Sequence, residues 1–459
     1  MKYISTRNNS KEHSFEEVFI KGLADDGGLF IPKEIKKYTQ EELNSLSELS
    51  YQDLAKKIIY PFIGDFMSES ELSLTIDKSY STFRKKNVVD LIKLGDTKVL
   101  ELFHGPTLAF KDVAMQLLGN FYEFYLSKNS KNINIIVATS GDTGAAAIDA
   151  IKGKKNVNIF VLHPHNKVSP VQRKIMSTVK ENNVFNIAIE GNFDDCQNLV
   201  KAMFADKDFS NSINMSGVNS INWARIIAQA VYYFYTYFLI KDKKSINFSV
   251  PTGNFGDVYA GYLSKKMGLP INKLIVATNK NDILHRAIST GKYEVETVFE
   301  TNSPSMDIQV ASNFERLIYD LNDFDDIETK DVMIKIKDEG KYIFAKNRLE
   351  KIRKDFLSES MNEEEVIETI RNIYNKYKVI LDPHTAIGLG ALNKINIEGD
   401  NIVLATAHPC KFPDAIDKSI SIKPSLPSEL QYIMDKKEYY DIVPNNVSKT
   451  KQYIKDKLK

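Results

Sequence analysis

Residues 88–430 alternate between short apolar runs and amphipathic segments, and this alternation constrains the fold more than any other feature of the chain. The apolar runs that are bounded by polar turns are residues 132–138, 157–162, 245–250, 274–278 and 402–405. Parallel strands are buried on both faces and need helical crossovers, so they form continuous apolar runs separated by helices. The pattern therefore predicts an α/β fold in which a parallel sheet is covered by helices on both faces.

Residues 1–87 have a different pattern, in which apolar residues recur at intervals of three and four. Residues 14–22 and 40–60 show this spacing, and a glycine-rich loop over residues 22–32 lies between them. The spacing is typical of amphipathic helices, and glycine clusters mark the loops between elements. We therefore expect a mainly helical N-terminal domain over residues 1–87.

The C-terminal part of the chain carries weaker signals. Residues 320–377 are charged and helix-like, and the Lys-rich end at 449–459 is typical of a solvated helix or a frayed tail. At roughly 150 residues per domain, the chain allows about two or three domains. The predicted division is an N-terminal domain over 1–87, an α/β region over 88–430 and a tail over 431–459. Within the α/β region, we expect a smaller subdomain at about 120–240 and a larger one over 88–119 and 241–430.

Composition excludes several classes of partner. The 61 basic residues nearly balance the 60 acidic ones, and a net charge of +1 favours neither nucleic acid nor an anionic membrane as a partner. The most apolar helix-like run, residues 226–240, is shorter than the ~20 residues that a bilayer requires and predicts a buried core helix. Cys196 and Cys410 make no disulfide framework, and the N-terminus lacks an apolar signal core. We therefore expect a cytoplasmic protein.

Lys111 is the strongest single candidate for a functional residue. It follows a Gly-Pro turn and Phe110, and it precedes Asp112. Burial would favour the neutral amine, and a neutral lysine amine can form a Schiff base. A lysine taken alone is far more often a solvated surface group, so this candidate depends on the turns that follow it.

The first of these turns covers residues 140–144 and lies between a predicted strand and a predicted helix, where ligands bind in open α/β sheets. Glycines permit close approach of the backbone, and the free N–H groups of the helix suit an anion. Ser140 and Thr143 add hydroxyl donors, so a substrate carboxylate is the anion that we expect. The alternative is an ordinary helix cap made by Asp142 or Thr143.

The second turn covers residues 253–257 and again joins a strand to a helix. Its glycines allow tight approach, and successive backbone N–H groups suit a phosphate monoester. The turn lacks the Gly-Lys-Ser/Thr of a P-loop and the Gly-x-Gly-x-x-Gly of a dinucleotide site. Taken alone, it is equally compatible with a phosphate site and with a structural turn.

Two other segments carry polar side chains that suit an anion. The side chains of the first, just before the apolar helix, are Asn219, Ser220, Asn222 and Arg225. The planar guanidinium of Arg225 suits a second anion, and the alternative is a helix cap with one surface arginine. Lys167 and Ser169 form a weaker candidate of the same kind.

Thr406 lies at the end of the last predicted strand, where its hydroxyl could bind a ring nitrogen. His408 and Cys410 follow it and suggest a metal, but no second Cys or His cluster has ligand spacing. The same argument applies to His163 and His165. We therefore predict no metal site and expect imidazoles that bind the backbone.

These segments make a stronger case together than separately. A lysine for a Schiff base, a phosphate turn, a carboxylate turn and a hydroxyl for a ring nitrogen are the groups that pyridoxal 5′-phosphate and an amino acid need. They follow one another in an order that one enzyme class uses. The sequence therefore predicts a pyridoxal-phosphate-dependent enzyme that acts on an amino acid.

At this point the sequence resembles the threonine synthases of the long, bacterial- and fungal-like type. The segments that match, in the family's order, are residues 22–32, 103–112, 138–146, 194–197, 219–222, 253–257 and 406–409. Segment 103–112 (Phe-His-Gly-Pro-Thr-Leu-Ala-Phe-Lys-Asp) is highly specific, whereas the glycine turns are shared across the tryptophan synthase β fold. The resemblance implies fold type II: two open parallel-sheet α/β domains and a mainly helical N-terminal domain.

The resemblance also implies a role for each candidate residue. Lys111 would form the Schiff base with the cofactor, and Thr406 would face its pyridine nitrogen. The residues that would hold the cofactor phosphate are Gly253, Asn254, Phe255, Gly256 and Asp257. Those that would bind the substrate carboxylate are Ser140, Gly141, Asp142 and Thr143. The candidates for the substrate phosphate are Lys167, Ser169, Asn219, Ser220, Asn222 and Arg225. An ionised Asp142 would repel the cofactor's phenolate oxygen, so we expect Asp142 to cap the next helix instead.

The implied reaction converts O-phospho-L-homoserine and water to L-threonine and phosphate, the last step of threonine biosynthesis, with Lys111 as base and acid. One alternative keeps the fold and cofactor but makes the protein a phospho-lyase or a serine/threonine dehydratase. Another is a non-catalytic homologue that binds a phosphorylated ligand, although the presence of Lys111 and every cofactor turn argues against it. The resemblance favours a monomer.

Overall fold

A computed structural model describes residues 1–241, 243 and 245–459 of the chain. The N-terminal segment combines a small antiparallel sheet, in the order β2-β1-β3, with four helices. Its elements are β1 (Tyr3–Ser5), β2 (Asn8–His13), α1 (Phe15–Lys21), β3 (Phe30–Pro32), α2 (Gln40–Leu46), α3 (Tyr51–Ile63) and α4 (Glu69–Tyr80). Capping boxes fix the starts of α1, α2 and α4. The helix-like segment 40–60 is two helices, because Ser50 caps a second start.

The middle of the chain forms most of a five-stranded parallel sheet, called here the small sheet, in the order β16-β8-β7-β6-β9. The elements from residue 90 to residue 239 are β4 (Asp90–Leu94), β5 (Thr97–Glu101), α5 (Lys111–Asn129), β6 (Ile133–Ala138), α6 (Asp142–Ile151), β7 (Val157–Pro164), α7 (Pro170–Ser177), β8 (Val184–Glu190), α8 (Phe193–Ala205), α9 (Lys207–Ser212), β9 (Met215–Ser216) and α10 (Trp223–Leu239).

The rest of the chain, with β4 and β5, forms a six-stranded sheet, called here the large sheet, in the order β14-β11-β10-β15-β5-β4. Its strands are parallel except for the edge strand β4. The elements are β10 (Ile246–Pro251), α11 (Gly256–Lys266), β11 (Ile271–Thr278), α12 (Ile283–Thr290), β12 (Lys292–Glu294), α13 (Phe314–Leu321), α14 (Asp326–Glu339), β13 (Lys341–Ile343), α15 (Lys346–Asp355), β14 (Phe356–Ser360), α16 (Glu363–Tyr377), α17 (Pro383–Ile395), β15 (Asp400–Ala405), α18 (Pro413–Ile420), β16 (Asp441–Pro444) and α19 (Val447–Lys457).

All five predicted strands are present, and the predicted α/β class with parallel sheets is confirmed. The apolar run at 226–240 lies in α10, which packs against α3, α5 and α11 and is buried on nearly every face. This burial explains its composition, because a helix that is apolar all round belongs to a protein core or a membrane. None of the helices in the described part of the chain has the length and hydropathy that crossing a bilayer requires.

Two strands depart from the sequence-based expectation. Strand β14 lies in the segment expected to be helical and pairs with the edge of the large sheet along β11. Strand β16 and helix α19 lie where a tail was expected, but β16 pairs with β8 and Ile454 of α19 is fully buried. Both strands lie at sheet edges and each has a single buried residue, so they lack the apolar runs of central strands.

Candidate active site

The carboxyl ends of strands from both sheets open onto one cavity of about 1310 Å³. The segments that follow β5, β6, β10 and β15 line this cavity. Ligands of open α/β sheets bind at this end of the strands, where helices begin. The cavity is therefore the candidate active site.

Lys111 begins α5 and presents its amine to the cavity, with only 8% of the residue exposed. Its Nζ donates a hydrogen bond to Ser305 Oγ at 3.3 Å and lies 3.8 Å from Asp142 Oδ2. Burial lowers the pKa of Lys111 to about 8, although Asp142 acts in the opposite direction. A lysine with such a pKa is in part neutral near pH 8, as a nucleophilic or basic amine requires.

Asp142 does not cap helix α6, so that expectation is wrong. The residue before the helix is Gly141, which makes no side-chain cap, and Thr139 Oγ1 instead accepts from the N–H groups of Gly141 (2.9 Å) and Gly144 (2.8 Å). Asp142 Oδ1 is bound by Lys411 Nζ at 2.6 Å and by the Gln172 side chain at 2.8 Å. The buried carboxylate is therefore a charge partner of lysines.

The charge of Asp142 limits what its side chain can bind. Burial alone would raise the pKa of Asp142, but Lys411 and Lys111 outweigh burial and hold the pKa well below its usual range. An ionised carboxylate accepts hydrogen bonds and donates none, so the side chain cannot hold a substrate carboxylate. Ser140 and Thr143 also line the cavity, and their hydroxyls have no partner among the described residues.

The turn over 253–257 lines the cavity with all five of its residues. Phe255 has a left-handed backbone (φ 62°) and directly precedes α11, whose first N–H groups lack partners within the helix. Asn313 fixes the turn, because its backbone N–H and its side-chain amide both donate to Asn254 O at 3.1 Å. The result is a rigid helix start that suits a phosphate.

Gly253 has no room for a side chain, which gives a direct test of this turn. A Cβ there would lie 2.8 Å from Ser305 O and 3.3 Å from Met306 Cα. Overpacking costs about 1–3 kcal/mol, so we expect Gly253→Ala to weaken the binding of pyridoxal phosphate about tenfold or more, measured by titration of the cofactor-free protein. Gly217→Ala is the matched control in the same cavity, because its Cβ would meet a flexible side-chain atom of Phe204 at 3.1 Å. Equal affinities of the two variants would contradict the prediction.

The side chain of Asp257 is bound by residues outside this turn. Its Oδ1 accepts hydrogen bonds from the hydroxyls of Tyr232 and Tyr233. Burial raises the pKa of Asp257 to about 6, although both tyrosines act in the opposite direction. A carboxylate would repel a phosphate, so the backbone N–H of Asp257 is the group that could serve an anion.

Thr406 and Ser305 complete the floor of the cavity. Thr406 O accepts the backbone N–H of Phe110 at 2.8 Å, which ties the end of β15 to the start of α5. Its hydroxyl has no partner among the described residues and remains available to a ligand. Ser305 escaped the sequence analysis, because Pro304–Met306 is a short 3-10 helix with no strand before it.

The structure divides the six candidates for the substrate phosphate. Asn219, Ser220 and Arg225 line the cavity. Asn222 does not, because its side chain caps α10 through Ala224 N (3.1 Å) and donates to Phe19 O (2.9 Å).

The other two candidates lie outside the cavity lining. Lys167 is exposed. The Ser169 hydroxyl donates to Lys411 O at 2.8 Å and accepts from Gln172 N at 3.3 Å, at the start of α7. Ser169 therefore binds Lys411 and Gln172, the two residues whose side chains hold Asp142.

His408 binds the backbone, as the sequence analysis expected, because its Nδ1 accepts from Cys410 N at 3.2 Å. Burial, with a smaller effect of Arg84, lowers the pKa of His408 to about 4. In the unfolded chain the pKa lies near 6.5, so the unfolded state takes up the proton first as the pH falls.

The stability that neutral His408 contributes is therefore complete above about pH 6.5 and lost towards pH 4. We expect His408→Asn, which keeps an acceptor but does not titrate, to reduce the fall in urea midpoint between pH 7 and pH 5. An unchanged fall in the variant would contradict the assignment. The measurement is urea unfolding of both proteins at the two pH values.

Three family models match the chain. The model "Threonine synthase N terminus" matches residues 2–80, "Pyridoxal-phosphate dependent enzyme" matches 99–343, and "Threonine synthase, C-terminal" matches 385–454. The threonine synthase of Pseudomonas aeruginosa is 45% identical over 99% of this chain and 98% of its own length.

The chain belongs to the threonine synthase family. The threonine synthase of Saccharomyces cerevisiae is 44% identical and also covers 99% of this chain. A crystal structure of a family member from Brucella melitensis, described as bound to pyridoxal phosphate, superposes with a TM-score of 0.96 at 43% identity. It covers 100% of this chain, and this chain covers 99% of it. The resemblance, the fold type II class and the pyridoxal phosphate cofactor are thereby confirmed.

The residues of the cavity fit pyridoxal phosphate. Lys111 supplies an amine that is in part neutral, and the turn at 253–257 lines the cavity and has no room for a side chain at Gly253. The free hydroxyl of Thr406 suits a ring nitrogen without forcing that nitrogen to stay protonated. The donor set therefore serves an aldehyde, a phosphate and a pyridine.

Proposed function

We propose that this member of the threonine synthase family converts O-phospho-L-homoserine and water to L-threonine and phosphate. The observation that carries the proposal is that Lys111, with its lowered pKa, shares one cavity with two separate groups of residues suited to bind an anion. One is the helix start at 253–257, and the other is formed by Asn219, Ser220 and Arg225. A phosphorylated cofactor and a phosphorylated substrate need two such sites.

Bound pyridoxal phosphate would withdraw electrons from the substrate and so acidify the hydrogen on Cα. Lys111 would bind the cofactor at rest, and its amine would then take the proton from Cα and return protons later in the reaction. The N–H groups at 253–257 would hold the cofactor phosphate, and Thr406 would bind the ring nitrogen. Ser305, which accepts from the amine of Lys111, would hold that amine in place between transfers.

The substrate would be oriented by its two anionic ends. The hydroxyls of Ser140 and Thr143, with the start of α6, would bind the carboxylate. Asn219, Ser220 and Arg225 would bind the phosphate that leaves from Cγ.

The proposal places the protein among the carbon–oxygen lyases that act on phosphates. Its two cysteines are free and buried, which supports an enzyme of a reducing compartment such as the cytoplasm. We propose that it acts as a monomer, which light scattering of the purified protein would test.

The test of the proposed function is a product analysis with the purified, cofactor-loaded chain and O-phospho-L-homoserine. Threonine and phosphate in equal amounts would support the synthase. Phosphate with a keto acid and no threonine would show a phospho-lyase. Neither product would show a non-catalytic homologue. L-Homoserine is the matched control, because it lacks only the phosphate and should give no threonine.

A further inference from the structure

Lys411 is the one lysine with no exposed surface among the described residues, and it binds Asp142 without lining the cavity itself. Its Nζ donates to Thr107 O at 2.8 Å and to Asp142 Oδ1 at 2.6 Å. The second carboxylate oxygen of Asp142 lies 3.8 Å from Lys111 Nζ. The three side chains therefore form a buried chain in which one carboxylate lies between two lysines.

Further hydrogen bonds hold Lys411 and Asp142 in this arrangement. The Ser169 hydroxyl binds Lys411 O, and Gln172 holds the same Asp142 oxygen as Lys411 does. Both come from the start of α7. Gln172 also packs against Gly141, where φ is 139° and a Cβ would lie 2.7 Å from the amide. The carboxylate of Asp142 is thus held in one orientation.

The arrangement has a cost that calls for an explanation. A buried ion pair seldom stabilises a fold more than apolar side chains of similar size do. The proposed binding of substrate and cofactor uses neither the Lys411 nor the Asp142 side chain. The charges facing the Lys111 amine are Asp142 and Asp112, which favour its protonation, and Lys411 and Arg225, which oppose it. Asp112 is held by the backbone and hydroxyl of Thr107.

We propose that Lys411 is a positioning residue for the reaction, which binds Asp142 so that this carboxylate cannot form a close ion pair with Lys111. Lys411 competes for the charge of Asp142, and the amine of Lys111 stays available to the cofactor. Without Lys411, the negative charge of Asp142 would be balanced by Lys111 alone, which would stabilise the protonated form of the Lys111 amine. The inference rests on the proposed role of Lys111.

The test measures the amine itself. The full chain, freed of cofactor, is mixed with pyridoxal phosphate, and the rate of visible absorbance change is followed from pH 6 to pH 10. The neutral amine is the reactive form, so the pH midpoint reports on Lys111, and competitive acetylation of Lys111 followed by mass spectrometry gives an independent value. We expect Lys411→Met to raise the midpoint and Asp142→Asn to lower it, each by about one unit.

The expected shifts of the pH midpoint, upward in Lys411→Met and downward in Asp142→Asn, distinguish a positioning role from a purely structural one. A structural role alone would move both midpoints in the same direction or leave both unchanged, and either result would overturn the proposal. A lower midpoint in Lys411→Met would also overturn it, because Asp142 would then have taken up a proton.

The double variant Lys411→Met/Asp142→Asn leaves no unpaired buried carboxylate and keeps the test open if Lys411→Met fails to fold. The pH midpoint of the double variant should lie above that of Asp142→Asn, but by less than Lys411→Met alone raises the midpoint of the native chain. If Lys411→Met alone does not fold, the expected difference is less than about one unit. A rise as large as that expected for Lys411→Met alone would overturn the proposal. Lys98→Met is the matched control, since it breaks a partly buried pair with Asp400 outside the cavity and should leave the midpoint unchanged. A Lys111→Ala chain that gives the same absorbance change would refute the role of Lys111 instead.

Discussion

Lys111→Ala is expected to lower the rate of threonine formation from O-phospho-L-homoserine by about a thousandfold or more. General acid–base transfer by a positioned side chain contributes about 10²–10⁴-fold, and Lys111 would perform several such transfers as well as binding the cofactor. The variant should also lose the visible absorbance that arises when a lysine binds pyridoxal phosphate.

The fold should survive this substitution. Asp142 remains bound by Lys411 and Gln172 in the variant, so no buried carboxylate is left without a partner. Circular dichroism and the urea midpoint would verify this point. Lys98→Ala serves as the control, because it also shortens a partly buried lysine in an ion pair. Native rates in Lys111→Ala would refute the proposed site.

Arg225→Met is expected to have the second largest effect, a fall in kcat/KM of about 100-fold or more. Arg225 is only 4% exposed, and its guanidinium has no carboxylate within 4.0 Å and no hydrogen bond among the described residues. Burial lowers the pKa of Arg225 to about 10, so the group is still charged at neutral pH. A buried cation without a partner is costly, and a bound phosphate would supply the missing acceptors.

The magnitude follows from hydrogen bonds to a charged group, which contribute about 1.5–3 kcal/mol each. Two such bonds correspond to about 100-fold or more in kcat/KM. Steady-state kinetics give the main result, and inhibition by inorganic phosphate should weaken in parallel.

Arg348→Met is the matched control for Arg225→Met. Arg348 is partly buried, but its guanidinium pairs with Glu328 outside the cavity. Equal losses in the two variants would show a general effect on stability, and an unchanged kcat/KM in Arg225→Met would refute its role in binding the substrate.

Local patterns in the sequence were sufficient for the strands that lead into the cavity. Strands β6 and β10 are central and apolar, and glycine turns follow both of them. Parallel strands place their carboxyl ends at one edge of their own sheet, so the sequence could locate each turn. Because β6 and β10 lie in different sheets, only the packing of the two sheets brings the turns to one cavity. The edge strands β14 and β16 could not be read in the same way, because partners far along the chain supply their burial.

Some residues of the candidate site could likewise be predicted from local sequence, and others could not. Gly253, Thr406 and Lys111 would act, in the proposed site, through the backbone or from the end of a strand or helix, and a local motif is enough to predict such a position. Asn222 and Ser169 share that local chemistry, yet the structure uses their side chains to cap helices and to bind backbone carbonyls. A polar residue before a helix has both roles open to it, and only its neighbours decide between them.

The sequence by itself was enough to predict the fold class, the lysine proposed to bind the cofactor and the turns that share its cavity, because each depends on residues close together in the chain. The tertiary structure decided which charges meet. Asp142 was expected to cap a helix, but Lys411, which lies 269 residues further along the chain, binds it at 2.6 Å. Charges removed from water must find partners in space, and neither spacing nor composition reveals a partner that lies so far along the chain.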